Sequence, residues 1–203
     1  AMVIVSQFML TFGRDPNAKV TKKSKSPLSF HPIALIFGLL SFVSYLVEGA
    51  VGDWSALYLF EDKGIVIEEA VMGVMLFNGT MCIGRLLGNR LGKHLTSKQV
   101  VVGGYLLGSI AMGLIVFLPG HASMYTYLLL GISLAMIVPN LFSAMGEQNV
   151  IPMTQAVATS TMLGYMGILM GPALIGFIAH GTSLTVAFIV LTTLLVVSAG
   201  IGK

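Results

Sequence analysis

The side chains with the clearest chemical potential are two carboxylates, Glu48 and Asp53, inside an otherwise apolar stretch. A helix that begins at Pro32 places Glu48 about 24 Å along its axis, at 1.5 Å per residue. An ionised carboxylate within a bilayer costs at least about 2.5 kcal/mol, so it normally faces a water-filled cavity where it can bind a proton or a polar solute. A helix that begins at Pro27 instead brings both acids to the outer interface, within a belt of aromatic residues. Both interpretations remain open, and the first makes Glu48 and Asp53 candidate cavity residues.

Three further polar residues, Asn78, Asn140 and Tyr165, lie near the middle of apolar stretches of their own. Each could line a polar pathway through the molecule. Asn140 also follows Pro139, and a proline that interrupts a helix frees main-chain carbonyls for ligands. The alternative is a hydrogen bond between helices, worth about 0.6 kcal/mol.

Other kinds of chemistry find no support in the residue pattern. The four histidines lie near the ends of apolar stretches without metal-ligand spacing, and Cys82 is the single cysteine. The pattern offers no nucleophile arrangement, carboxylate dyad or phosphate-binding loop. We therefore expect no metal, no cofactor and no enzymatic activity.

Composition places these residues in a membrane protein. Apolar residues make up 56% of the chain and charged residues 9%, against about 25% charged residues in soluble domains. The net charge of +3 does not indicate nucleic-acid binding, because the basic residues flank apolar stretches, where lipid headgroups explain them. The expected surroundings are a lipid bilayer.

The apolar stretches divide into six spans of about the length that a bilayer requires. The second span must continue to about Asn89 to cross the hydrocarbon core, which puts Arg85 at membrane depth or within reach of the cytoplasmic headgroups. The predicted spans are residues 32–60, 70–89, 99–118, 123–145, 153–179 and 182–202. No strand-like alternation interrupts them.

Charge asymmetry predicts the orientation of these spans. Ten of the eleven Lys and Arg residues fall on one side, and only Lys63 falls on the other. Basic short loops stay cytoplasmic, so we expect both ends of the chain to be cytoplasmic. Residues 1–12 are apolar but too short to span, and we interpret them as the remnant of a preceding transmembrane helix. Residues 13–31 then form a basic cytoplasmic connector, and residues 32–203 form the six-helix domain.

The loop between spans two and three resembles the short cytoplasmic loop signature of the major facilitator superfamily. Arg90, Gly92 and Lys93 match this signature, whereas Asn89 stands where the family has Asp and Arg85 takes the place of the leading Gly. The resemblance implies a gating loop that pairs with acidic residues in one conformation only. The alternative is a simple anchor at lipid headgroups.

Span five is similar to the Gly-Pro-containing fifth or eleventh helix of the same superfamily. Gly167 and Gly171 form a small-xxx-small face that permits close helix approach, and Pro172 is expected to kink the remainder of the helix. The pattern begins at Gly164 and ends at Gly176.

Two shorter stretches, residues 137–143 and 48–55, are similar to fucose-permease-like carriers within the superfamily. Together the resemblances imply the C-terminal six-helix half of a carrier, an all-α fold with a 3+3 inverted repeat. They further imply alternating-access transport of a sugar-like or other small polar solute. Proton coupling through Glu48 is a hypothesis that rests on the depth of this residue in the first span. The partner would be the missing N-terminal half, and the setting a bacterial inner membrane. A non-transporting membrane module, or a truncated gene product acting as an assembly partner, is the alternative.

Overall fold

The computed structural model describes residues 28, 30–91 and 95–202, and its regular elements are all helices within those ranges. The elements in chain order are α1 (Pro32–Glu61), α2 (Ile67–Leu91), α3 (Ser97–Phe117), α4 (Gly120–Tyr125), α5 (Tyr127–Ala135), α6 (Ile137–Glu147), α7 (Met153–Gly181) and α8 (Leu184–Ile201).

Six helices of the described part are long and apolar enough to cross a membrane. Five of them are single elements, and the fourth span, Gly120–Glu147, consists of α4, α5 and α6 in succession. This confirms the predicted all-α, six-span fold. The chain is a multi-pass membrane protein.

The first span begins at Pro32, where proline suits the first helical turn. His31 caps this end, because its Nδ1 accepts a hydrogen bond from the main-chain N–H of Ile33 at 3.3 Å. Leu28 and Phe30 lie outside the helix. The helix therefore does not extend back to Pro27 through these residues, and Glu48 lies near its middle. It also continues through Gly49 and Gly52, the two positions where glycine could permit a bend.

Lys63 joins the loop after α1 to the end of α3. Its Nζ donates hydrogen bonds to the carbonyl oxygens of Val116 at 2.6 Å and Leu118 at 2.9 Å. A cation at a helix C-terminus is favourable because the unpaired carbonyls there carry partial negative charge. Partial burial lowers the pKa of the Lys63 amine from its usual value, and the neighbouring Asp62 carboxylate opposes that change.

The spans pair in a repeated pattern. The first and fifth spans pack most extensively on each other, the second packs most extensively on the fourth, and the sixth packs most extensively on the third. Two three-helix repeats would relate span one to four, span two to five and span three to six. Under that exchange the pair of spans one and five becomes the pair of spans four and two, and the pair of spans three and six maps onto itself. The packing is therefore consistent with half of a major-facilitator fold.

The fourth span is interrupted twice, at Thr126 and at Met136. The second interruption comes one turn before Pro139, which lies in the first turn of α6, where a missing N–H is tolerated. The carbonyl of Met136 is not free for a ligand, because the main-chain N–H and the side-chain amide of Asn140 both donate to it. The sequence predicts a helix break at Pro139, beside Asn140, but the break lies one turn earlier, at Met136.

Candidate functional site

An ion pair between Glu48 and Arg85 connects α1 to α2 within the membrane-spanning region. Arg85 Nη2 lies 3.1 Å from Oε2 and 3.3 Å from Oε1 of Glu48. The Arg85 side chain is 45% exposed and the Glu48 side chain 23% exposed. Each charge alone would cost about 2.5–3.5 kcal/mol at the centre of a helical span, and pairing reduces that cost. The pair therefore suits a wet surface between helices better than a lipid-facing one.

Two stacked tyrosines lie beside this ion pair. Tyr45 precedes Glu48 by three residues and shares its face of α1, since residues three apart are neighbours on a helix. Its ring is nearly parallel to that of Tyr165 on α7, with centroids 6.1 Å apart and an interplanar angle of 9°. Tyr165 is 61% exposed. Tyr45, Glu48, Arg85 and Tyr165 form what we call the polar patch.

Glycines of α7 permit this arrangement because they let α1 approach closely. A Cβ atom on Gly164 would lie 2.7 Å from the ring of Tyr45, and one on Gly171 would lie 2.5 Å from the carbonyl oxygen of Leu46. A Cβ on Gly167 would meet the main chain of Phe42 still more closely. Larger residues at these positions would separate the two helices and the two tyrosines.

Further along the same interface, Trp54 ties α1 to α7. Its Nε1–H donates to the carbonyl oxygen of Pro172 at 3.0 Å, and Gly176 leaves room for its ring. Pro172 lies inside the continuous helix α7. This tryptophan bond holds the register of the two helices beyond the glycine contacts.

The other predicted cavity residues do not join the polar patch directly. Asp53 is exposed on α1, about 140° around an ideal helix from Glu48. Asn78 is exposed on α2, seven residues before Arg85 and hence on the same face, and its amide donates to Val74 of its own helix. Asn140 is half-buried and likewise donates within its own helix, so neither asparagine shows the interhelical bond that was the alternative.

The predicted gating loop is described only in part. Asn89 and Arg90 belong to the last turn of α2, but their side chains lie outside the described residues, as do Gly92 and Lys93. Their gating role stays a prediction. Arg85, which the sequence pattern groups with these loop residues, instead forms an ion pair with Glu48 of the neighbouring span.

The sequence pattern does not mark two residues as site residues, one in the polar patch and one beside it. Tyr45 fits an aromatic belt at the outer interface equally well, and its spacing from Glu48 is the available signal. Cys82 is exposed and lies three residues before Arg85 on α2. In the part of the chain that the structure describes, no three His, Cys, Asp or Glu residues cluster as a metal site would require.

Comparison with known proteins points to transporters, although no protein-family model matches the chain. The chain is 42% identical over 157 residues to an uncharacterised MFS-type transporter of Yersinia pestis. The aligned region covers 76% of this chain and 40% of that transporter. It is 30% identical over 170 residues to the membrane protein MosC of Rhizobium meliloti, covering 82% of this chain and 42% of that protein. An uncharacterised transporter of Sinorhizobium fredii is 28% identical over 159 residues, covering 76% of this chain and 41% of its own length.

The chain thus spans about two fifths of the length of the curated relatives it matches. These relatives support the resemblance to a half-length transporter of the major facilitator type. Their names do not extend to a fucose-permease-like branch.

Proposed function

We propose that this chain is the C-terminal six-helix half of a major facilitator carrier that moves a small polar solute by alternating access. The observation that carries the proposal is the Glu48–Arg85 ion pair, set with two stacked tyrosines on the exposed surface of otherwise apolar spans. Opposite charges at this depth are normally found on solute or ion pathways. The relatives named as transporters support the same assignment.

In this proposal two six-helix halves rock around a site near the bilayer midplane, and the present chain supplies one wall. Residues 32–203 would form the wall, whereas residues 1–12 and nearly all of residues 13–31, predicted to be a helix remnant and a connector, lie outside the described residues, so those two assignments stay predictions. Both ends would be cytoplasmic in a bacterial inner membrane. The basic loop after α2 would latch the halves together in one conformation.

We further propose that Glu48 couples transport to protons. It is a carboxylate near the middle of a span, and it forms an ion pair with Arg85. Protonation would release Arg85 and change the charge of the wall that the solute meets. The same proton would then have to leave on the other side for the cycle to continue.

The experiment uses the complete carrier in proteoliposomes, with a solute first identified by a thermal-shift screen. Glu48→Gln should abolish the dependence of uptake on an imposed pH gradient. Asp53→Asn is the matched control, because it removes a carboxylate from a different face of the same helix and should preserve that dependence. Uptake that stays pH-dependent in Glu48→Gln contradicts the coupling, and a complete protein that transports no solute favours a non-transporting module.

A further inference from the structure

We infer that the solute of the proposed carrier is an organic anion whose carboxylate takes the place of Glu48 on Arg85. This inference rests on the proposed function and narrows it, since a small polar solute need not be charged. Of the basic residues whose side chains are described, Lys63 and Lys98 lie at helix ends, whereas Arg85 lies inside the second span, one turn before its end at Gly88, and pairs with a carboxylate of the first span. A cation in that position has a specific role to explain.

The geometry of Arg85 leaves it able to bind a second carboxylate. The hydrogen bonds described between Arg85 and Glu48 all come from Nη2, whereas a guanidinium has five N–H donors in a planar fork. That fork matches a carboxylate in bidentate geometry. With nearly half of its side chain exposed, Arg85 presents donors that Glu48 does not use.

Tyr165 adds a surface for the rest of the solute. Its ring stacks on that of Tyr45, and Tyr165 as a residue remains 61% exposed. A flat or ring-shaped part of a solute could lie on that exposed ring, while its carboxylate reaches Arg85. The polar patch then binds both ends of one molecule.

Charge balance favours an anion over a neutral solute. The resting pair is neutral, with one negative charge on Glu48 and one positive charge on Arg85. When Glu48 takes up a proton on its carboxylate and the solute carboxylate pairs with Arg85, the loaded site is again neutral. A neutral solute would provide no replacement partner for Arg85, and releasing Glu48 would then leave an unpaired cation in the span, which is unfavourable.

Cys82 provides a test that needs no knowledge of the natural solute. It is exposed and lies one turn from Arg85, with Cβ atoms of such neighbours about 5–6 Å apart. The complete carrier is placed in proteoliposomes with the cysteines outside this chain replaced. The rates of reaction of Cys82 are then measured with an anionic and a cationic methanethiosulfonate reagent, bearing sulfonate and trimethylammonium groups respectively.

Glu48→Gln should raise the anionic-to-cationic rate ratio by roughly fivefold, since it leaves Arg85 uncompensated at short range. Arg85→Gln should lower the ratio below that of the unsubstituted protein. Glu61→Gln, which removes an exposed carboxylate at the far end of α1, should leave the ratio unchanged. The unsubstituted protein gives a second readout that needs no substitution at the patch. Acetate should slow the reaction of Cys82 with the anionic reagent more than acetamide, the neutral isostere of acetate, slows it.

The outcomes separate the two proposals. Failure of both reagents to reach Cys82 from either side of the membrane refutes the water-filled pathway and with it the proposed function. Reaction with a ratio unchanged by Glu48→Gln, or equal effects of acetate and acetamide, overturns the anion inference and leaves the transport proposal intact.

Discussion

Replacing Gly167 with alanine should weaken the contact between α1 and α7, which is the most extensive helix pair in the described structure. The added Cβ would meet the carbonyl oxygen of Phe42, with the carbonyl carbon at 3.0 Å and Cα at 3.1 Å. Favourable carbon contacts lie at about 3.5–4.0 Å, so the helices must separate by about 0.5–1 Å. Because main-chain atoms cannot rotate away, we expect the loss at the upper part of the usual overpacking range, about 2–3 kcal/mol.

The assay is thermal unfolding of the purified chain, or of the complete carrier, in detergent. Gly103→Ala is the matched control, because Gly103 also lies inside a helix but has nothing within 4 Å of an added Cβ. That control should be neutral or more stable by up to about 1 kcal/mol, since alanine favours helix. If Gly167→Ala unfolds at the same temperature as Gly103→Ala, the conclusion that α1 and α7 are in close contact at Gly167 is wrong.

Three further predictions use the same unfolding assay. Glu48→Gln and Arg85→Gln should each destabilise the protein, and the double variant should lose less stability than the sum of the two single losses. The coupling free energy in this double-mutant cycle should be about 1 kcal/mol, and additive losses would contradict a direct ion pair. Tyr105→Phe removes a buried hydroxyl that donates to a carbonyl of α1 at 2.6 Å, and should cost about 1 kcal/mol, so an unchanged midpoint would refute that bond. Lys63→Met leaves two carbonyls at the end of α3 without their donor and should also cost about 1 kcal/mol, whereas Lys98→Met should change stability by less than about 0.5 kcal/mol.

The span pattern could be predicted because it depends on local composition. Long stretches without charge mark the hydrocarbon core, and their ends follow from length alone. The interruption at Met136 could not be placed in the same way. In the sequence, Pro139 is the residue that predicts a helix break. In the structure it lies in the first turn of α6, and the break falls at Met136, a residue type that does not predict one.

Arg85 shows what local patterns omit. Its neighbours Arg90 and Lys93 place it in a basic loop, and that context predicts a headgroup anchor or a latch. Its partner Glu48 is 37 residues away, and only the packing of α1 on α2 brings the two charges together. Likewise, the spacing of Gly167 and Gly171 predicts a close helix contact but not that α1 makes it.

The pairing of the first span with the fifth has a consequence for synthesis of the protein. Ser41 on α1 and Ser160 on α7 are 119 residues apart, and their hydroxyl oxygens lie 2.6 Å from each other in the finished bundle. At about 5–20 residues per second, α1 waits about 6–24 s in the membrane before that partner emerges from the ribosome. During this interval its glycine-matched face meets lipid or the spans that are made before α7. The bundle therefore closes late, and its first helix is the part most exposed to mispairing while the chain is being made.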